Sequence, residues 1–189
     1  MIKSSSDGHK VGTRRTGSVH VCPLHAVPDV VARSRALRLL TLLQDEVLVE
    51  TPRLIKPADH LRLHIHDIAE PLDGCVAPNE EHIDALIDLA LDWGGSGPIV
   101  VHCWAGISRS TAAAFTMLCA INPDAAEQLI ARRLRQASPT AYPNRLMVRL
   151  ADRALARNGR MVRAVEAMGR GVPANEAVPF WLAADHSDG

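Results

Sequence analysis

The hydrophobic positions between residues 18 and 157 fall into short apolar runs that alternate with segments of helical periodicity. Four runs have the length of a strand, at residues 18–22, 37–43, 61–65 and 99–101. Runs this short and this apolar are typical of strands in the interior of a sheet. A strand followed by a helix and then by another strand favours parallel pairing, because parallel neighbours need a crossover connection. The pattern therefore predicts an α/β fold with a central, mostly parallel sheet of four to five strands flanked by helices.

Helical periodicity predicts six helices between and after these runs. The clearest one begins at Asn79, a favourable N-cap with Glu80 and Glu81 in the first turn, and ends before the glycines at 94 and 95. Residues 110–121 are apolar almost all round, which predicts a central buried helix. The remaining helices are expected at residues 28–35, 122–137, 142–156 and 161–168.

The two ends of the chain differ from the part between them. Residues 1–17 are rich in Ser, Gly and basic residues, which predicts a disordered basic tail. Residues 18–158 are expected to form one domain. Residues 159–189 are expected to add a helix and a tail, in which Phe180 and Trp181 either anchor the chain on the domain or meet a partner. The burial candidates in the added helix are Val162, Val165, Ala167 and Met168.

Composition narrows the class of protein without naming an activity. The 189 residues carry 21 basic and 21 acidic side chains, so the charge gives no reason to expect a nucleic-acid or membrane partner. No apolar run approaches the length of a spanning helix. The four cysteines form no CxxC pair and no dense framework, which favours a reducing compartment. We therefore expect a cytoplasmic protein that is a monomer or a weak dimer.

Candidate chemistry is concentrated in residues 102–110, HCWAGISRS, between a predicted strand and the buried helix. Such a turn directs successive backbone N–H groups to one point at the positive end of a helix, which predicts an anion site. Cys103 lies at its mouth, where a helix N-terminus and a nearby cation favour the nucleophilic thiolate. Arg109 can grip two anion oxygens, and Gly106 permits the backbone angles that the curl requires. Ser110 can donate its hydroxyl to the sulfur.

This stretch resembles the signature loop of the cysteine-dependent protein tyrosine phosphatases, and residues 105–110, AGISRS, resemble the dual-specificity branch. The resemblance implies a three-layer phosphatase-like fold, a catalytic domain at residues 18–158, and no cofactor. It also implies that Cys103 is the nucleophile, that Arg109 and Ser110 assist it, and that His102 supports the loop. The implied phosphate-binding residues are Trp104, Ala105, Gly106, Ile107, Ser108 and Arg109.

Phosphoryl transfer to a thiol also needs a group that protonates the leaving oxygen. In the family this acid is an aspartate on a loop after a strand, some thirty-odd residues before the cysteine. Asp67 directly follows a predicted strand and lies 36 positions before Cys103. Asp73 lies 30 positions before Cys103, deeper in the same loop, and stays open as the alternative acid.

The loop sequence also bears on the substrate. Its variable positions are uncharged, whereas phosphoinositide phosphatases of this superfamily tend to carry lysines there, so a phosphoprotein or small phosphomonoester is the expected substrate. Two alternatives stay open: a rhodanese-type sulfurtransferase, and a non-catalytic phosphopeptide-binding module. His64 and His66 share a strand face, but the chain has neither HExxH nor clustered Cys/His spacing, so we expect no metal.

Overall fold

Five strands form one sheet in the structure, a computed structural model that describes residues 15–44, 47 and 49–186. They are β1 (Ser18–Pro23), β2 (Arg38–Leu43), β3 (His60–His64), β4 (Pro98–Cys103) and β5 (Phe180–Ala183). The sheet order is β3-β2-β4-β1-β5, with β5 antiparallel to β1 and all other neighbours parallel. The predicted α/β class and mostly parallel sheet are confirmed. The tail predicted for residues 1–17 lies largely outside the described residues.

Six α-helices accompany this sheet in the described part of the chain. They are α1 (Val27–Ser34), α2 (Glu80–Trp93), α3 (Arg109–Ile121), α4 (Glu127–Ala137), α5 (Arg145–Ala154) and α6 (Arg160–Met168). One short 3₁₀ turn precedes α1 and another precedes β3. The Asn79 side chain accepts from the His82 amide and so caps α2, and Gly94 ends that helix in the left-handed conformation.

The helices cover both faces of the sheet and make three layers. On one face α1 packs with Leu39, Ile55 and Val100. On the other face α2 to α6 build the larger core, in which every residue of α3 is buried. An all-round apolar helix is stable only when it is enclosed in this way, as its sequence predicted.

β4 occupies the centre of the sheet because it pairs with β1 on one side and β2 on the other. The expected strand-helix-strand unit of β1, α1 and β2 is parallel, but its two strands are not neighbours, since β4 lies between them. The central strand β4 leads directly into the buried α3. Residues 103–109 therefore lie at the carboxyl edge of the sheet, where α/β folds bind ligands.

The predicted start of α4, with Asn122 as its cap and Pro123 in its first turn, is wrong, because α4 begins at Glu127. The Asn122 side chain is buried and donates to the carbonyls of Leu118 and Ala184. The residue therefore ties the end of α3 to the tail instead of capping the next helix.

The burial predicted for α6 is partly wrong. Val165 is buried, but Ala167 is exposed, and Met161 and Ala164 are the other buried positions. The helix starts at Arg160, after Gly159 in the left-handed conformation, which sets the face turned toward α4 and α5.

The tail after α6 forms β5, which the sequence pattern did not predict. Leu182 is buried, and the Ala184 amide donates to the Gly17 carbonyl, so the tail closes the edge of the sheet beside β1. Phe180 is half-buried, whereas Trp181 is largely exposed and stacks on His20 at a ring separation of 6.5 Å. The aromatic pair thus lies in β5, the strand that holds the tail on the sheet.

Candidate active site

The loop between β4 and α3 is fixed at both ends by buried elements. Cys103 is the last residue of the central strand, and Arg109 is the first residue of the fully buried helix. Both side chains are almost completely enclosed, with exposed fractions of 1 % and 5 %. The fold thus fixes both residues at the two ends of the loop, six positions apart in sequence.

The carbonyl groups of the loop are bound by the surrounding elements. Four backbone amides reach them at 2.8–3.3 Å: Leu24 to Trp104, Ala177 to Ala105, Tyr142 to Ile107, and Asn144 to Ser108. Within the described residues, no hydrogen bond uses the backbone N–H groups of residues 104–108 as donors. Five successive amides without a protein acceptor, at the start of a helix, form a set of donors suited to an anion, and we call this set the cradle.

Gly106 allows the loop to pass close to the end of β1. Its φ is +72°, in the region that favours glycine. A Cβ placed there would lie 2.9 Å from the Cys22 carbonyl carbon and the Pro23 nitrogen, both of them backbone atoms. No other residue type fits this position without displacing β1.

The sulfur of Cys103 has one polar side-chain neighbour in the described chain. The Ser110 hydroxyl lies 3.2 Å from it, within the range of a sulfur hydrogen bond. Ser110 is fully buried in the first turn of α3. The hydroxyl can therefore stabilise negative charge on the sulfur.

Arg109 is held in place but keeps donors free. Its Nη1 donates to the Ile65 carbonyl at 2.8 Å, at the end of β3. Its Nε is buried and has no hydrogen-bond partner, and the nearest carboxylate oxygen, Oδ2 of Asp67, lies 3.8 Å away. A buried guanidinium N–H without a partner is costly, which points to an oxyanion as its missing acceptor.

Asp67 lies at the edge of the loop, whereas Asp73 makes no hydrogen bond or ion pair within the described residues. Oδ1 of Asp67 accepts from the Ser108 hydroxyl at 2.7 Å and from Asn144 Nδ2 at 2.9 Å. Its side chain keeps 38 % exposure. The structure thus places Asp67, and not Asp73, against the candidate phosphate-binding loop.

Sequence reasoning missed the part that Asn144 plays here. Its Oδ1 accepts from the first amides of α5, while its Nδ2 donates to Asp67 and to the Ile68 carbonyl. One side chain therefore caps a helix and orients the candidate acid. The available signal was the asparagine directly before the helix, which predicts an N-cap but not its second contact.

A chain of buried polar groups extends from His102 away from the loop. Nε2 of His102 lies 2.7 Å from the Thr41 hydroxyl, which lies 2.7 Å from Nε2 of His60. Nδ1 of His60 lies 2.9 Å from the Thr51 hydroxyl, to which Arg62 donates at 2.8 Å. We call these five residues the histidine chain. Among them, the sequence pattern assigned a supporting role to His102 alone.

The donors of the histidine chain can be assigned in only one consistent way if His102 donates from Nδ1 to the Cys103 carbonyl at 3.4 Å. Burial lowers the pKa of both His102 and His60 to about 4, so both imidazoles are neutral at pH 7. His102 must then accept from Thr41, Thr41 must accept from His60, and His60 must accept from its Thr51 contact. Each hydrogen-bonding contact in the chain then joins one donor and one acceptor. The last donor is Arg62, which can only donate.

No group of three potential metal-ligating side chains is found in the described part of the chain. No helix there is long and apolar enough to cross a bilayer.

Comparisons with known proteins place this geometry in a structural context. No family model and no curated protein matches the sequence. Solved structures of dual-specificity and protein tyrosine phosphatases do match the fold. DUSP15 aligns at a TM-score of 0.57 and 18 % identity, over 82 % of this chain and 94 % of that one. Human DUSP28 aligns at 0.55 and 16 %, over 74 % and 92 %. PTPMT1 in complex with PI(5)P aligns at 0.55 and 15 %, over 77 % and 94 %. The chain has the three-layer fold of these proteins.

Proposed function

We propose that this chain is a cysteine-dependent phosphatase of the dual-specificity type, which hydrolyses phosphomonoesters through a cysteinyl-phosphate intermediate. The observation that carries the proposal is the cradle itself. Five consecutive amides of the loop that follows Cys103, and the Nε of Arg109, have no hydrogen-bond acceptor among the described residues. A tetrahedral dianion supplies the acceptors that this set of donors lacks. The shared fold supports the same reading.

In the first step the Cys103 thiolate attacks phosphorus on the side opposite the ester oxygen. The S–P bond forms as the P–O bond to the alcohol or phenol breaks, and charge on the equatorial oxygens is held by the loop amides and Arg109. Asp67 acts as a carboxylic acid and gives its proton to the departing oxygen. Its contacts with Ser108 and Asn144 hold it beside the loop for this task.

In the second step water releases the phosphate. The Asp67 carboxylate takes a proton from the water, whose oxygen attacks phosphorus as the P–S bond breaks. The sulfur leaves as a thiolate, and the Ser110 hydroxyl, 3.2 Å away, stabilises it by donating a hydrogen bond. Inorganic phosphate then leaves and the starting state is restored.

The substrate class proposed is a phosphoprotein. The variable loop positions are Trp104, Ala105, Ile107 and Ser108, of which Trp104 is exposed and the others are half-buried. None carries a charge that would favour a polyphosphorylated headgroup. Trp104 is 53 % exposed at the rim and offers an apolar surface to the residue that carries the phosphate. All four cysteines are unpaired, which suits a thiol enzyme of a reducing, cytoplasmic compartment.

The direct test is hydrolysis of p-nitrophenyl phosphate with and without vanadate and in excess chelator. We expect turnover that vanadate inhibits and chelator does not. Cys103→Ser should abolish turnover but keep phosphate-analogue binding, and Cys75→Ser, a change at a partly exposed loop cysteine, should leave the rate unchanged. Thiosulfate-to-cyanide transfer without ester hydrolysis would instead support the sulfurtransferase. Tight phosphopeptide binding without either reaction would support the binding module.

A further inference from the structure

A groove opens beside the candidate phosphate-binding loop and extends along α5 and α6. It consists of two adjoining cavities of about 240 and 390 Å³ that share Tyr142 and Arg170 in their walls. Arg145 and Arg149 of α5 line the first cavity, and Ile107 of the loop lines the second. We call it the arginine groove. The Tyr142 amide donates to the Ile107 carbonyl at 2.9 Å, so the groove starts at the wall of the cradle.

Arg145, Arg149 and Arg170, the three arginines of the groove, have no carboxylate partner within 4 Å among the described residues. Arg153, on the same helix, pairs with Glu80 at 3.7 Å. Glu166 is the one acidic residue among those that line the first cavity. In a chain with equal numbers of acidic and basic residues, this concentration gives the groove a local positive charge.

Two of these guanidinium groups are already oriented by contacts within the protein. Arg145 lies over the Tyr142 ring, 5.8 Å from its centre, and Arg149 donates to the Ala69 carbonyl at 3.2 Å. Such contacts reduce the conformational entropy that a long side chain loses when it binds an anion. The orientation therefore favours binding in the groove over a role as a freely solvated charge.

The floor of the groove is apolar. Val148 and Val165 are buried beneath it and Val162 is half-buried. An apolar floor with a basic rim complements a segment that carries both an aliphatic or aromatic side chain and an anionic group.

We propose that the arginine groove binds an acidic segment of the phosphoprotein substrate, so that the enzyme favours phosphorylated residues flanked by carboxylates or by a second phosphate. This rests on the proposed function, because it assigns a substrate class to the same site. Arg145 and Arg170 supply the charge, and the valine floor receives an apolar side chain of the segment. The cradle holds the phosphate that is hydrolysed.

The test compares phosphotyrosine peptides of one length whose flanking residues are acidic, are the matching amides, or include one phosphoserine. The double variant Arg145→Gln/Arg170→Gln is compared with Arg132→Gln, which alters an exposed arginine of α4 that does not line the groove. Arg149 is left intact because it contacts the loop that carries Asp67. The readouts are kcat/KM for each peptide and for p-nitrophenyl phosphate, at low and high salt.

We expect the native chain and Arg132→Gln to favour the acidic peptide. Partly exposed ion pairs contribute up to about 1 kcal/mol each, so the double variant should lose roughly 3- to 20-fold in kcat/KM on that peptide. Its kcat/KM on the amide peptide and on p-nitrophenyl phosphate should not change, and salt should weaken the preference. Comparison of the carboxylate and phosphoserine peptides identifies the anion that the groove prefers.

Equal kcat/KM for acidic and amide peptides in the native chain would overturn the groove proposal while the phosphatase proposal stands. If the chain hydrolyses no ester, fluorescence anisotropy of the same peptides on Cys103→Ser still decides whether the groove selects acidic segments. Preferential hydrolysis of phosphatidylinositol phosphate in vesicles, lost in the double variant, would overturn the peptide assignment in favour of a lipid headgroup.

Discussion

Thr41 is the residue on which the histidine chain depends, because its single hydroxyl joins the two imidazoles. It is 4 % exposed and lies on β2 opposite His102 on β4. Thr41→Val keeps the shape of the side chain but removes the hydroxyl. His102 Nε2 then has no donor, and the N–H at His60 Nε2 has no acceptor, in a region that water does not reach.

The expected cost follows from the two buried groups left without partners. Each such group costs about 1–3 kcal/mol, and the added methyl group recovers part of this by apolar burial. We therefore expect the free energy of unfolding to fall by roughly 2–4 kcal/mol.

Because the histidine chain ends at the Cys103 carbonyl, the strand end that carries the sulfur should also lose its orientation. We expect kcat/KM on p-nitrophenyl phosphate to fall by roughly tenfold, since small misplacements of reacting groups are costly.

Urea unfolding and steady-state kinetics measure both effects, and Thr116→Val provides a matched control. Thr116 is fully buried in α3, and its hydroxyl has no hydrogen-bond partner. Removing that hydroxyl should leave the free energy of unfolding unchanged or raise it. If the two valine variants unfold at the same urea concentration and have equal kcat/KM, the histidine chain contributes neither stability nor orientation, and the reasoning is refuted.

Three further predictions concern the acid, the loop and pH. Asp67→Asn should slow hydrolysis of phenyl phosphate by roughly 10²-fold and hydrolysis of p-nitrophenyl phosphate much less. The reason is that only the poorer leaving group needs a proton. If Asp73→Asn has this effect instead, the acid is misassigned. Gly106→Ala should eliminate vanadate binding in calorimetry, since its Cβ would lie 2.9 Å from the backbone of β1; undiminished affinity would contradict the close approach. Burial lowers the pKa of His102 to about 4, against about 6.5 unfolded, so the stability it contributes is complete above pH 6.5 and is lost as pH falls toward 4. Urea titrations should show a decrease of about 3 kcal/mol from this group over that interval. His102→Gln should remove this part of the dependence and leave the part due to His60, whose pKa burial also lowers to about 4.

The loop could be predicted from the sequence because its determinants are local. Cys103, Gly106 and Arg109 lie within seven residues, and the flanking apolar runs set a strand before them and a helix after them. The helix capped by Asn79 was predictable for the same reason, since N-caps are read within four residues. The local sequence therefore determines the loop and the start of this helix, and long-range packing buries them.

The histidine chain was not predictable, because its members meet only through strand pairing. Thr41 faces His102 and Arg62 in the register of β2 with β4 and β3, and nothing near Thr41 in sequence specifies either partner. The same holds for β5, whose four residues form a strand only because β1 offers a free edge. Asn144 was readable as a cap, but its contact with Asp67 spans 77 positions.

The cradle and the histidine chain differ in charge. The cradle presents unpaired donors and the charge of Arg109 toward the carboxyl edge of the sheet, where an anion is attracted. Burial lowers the pKa of His102 and His60 to about 4, so both are neutral at pH 7. In the proposed mechanism, no histidine cation therefore competes with Arg109 for the thiolate and the phosphate. A single charged histidine there would add a buried cation without a counter-ion. Neutral hydrogen bonds that orient the Cys103 strand end, with the positive charge confined to Arg109, therefore suit both the stability of the core and the proposed phosphoryl transfer.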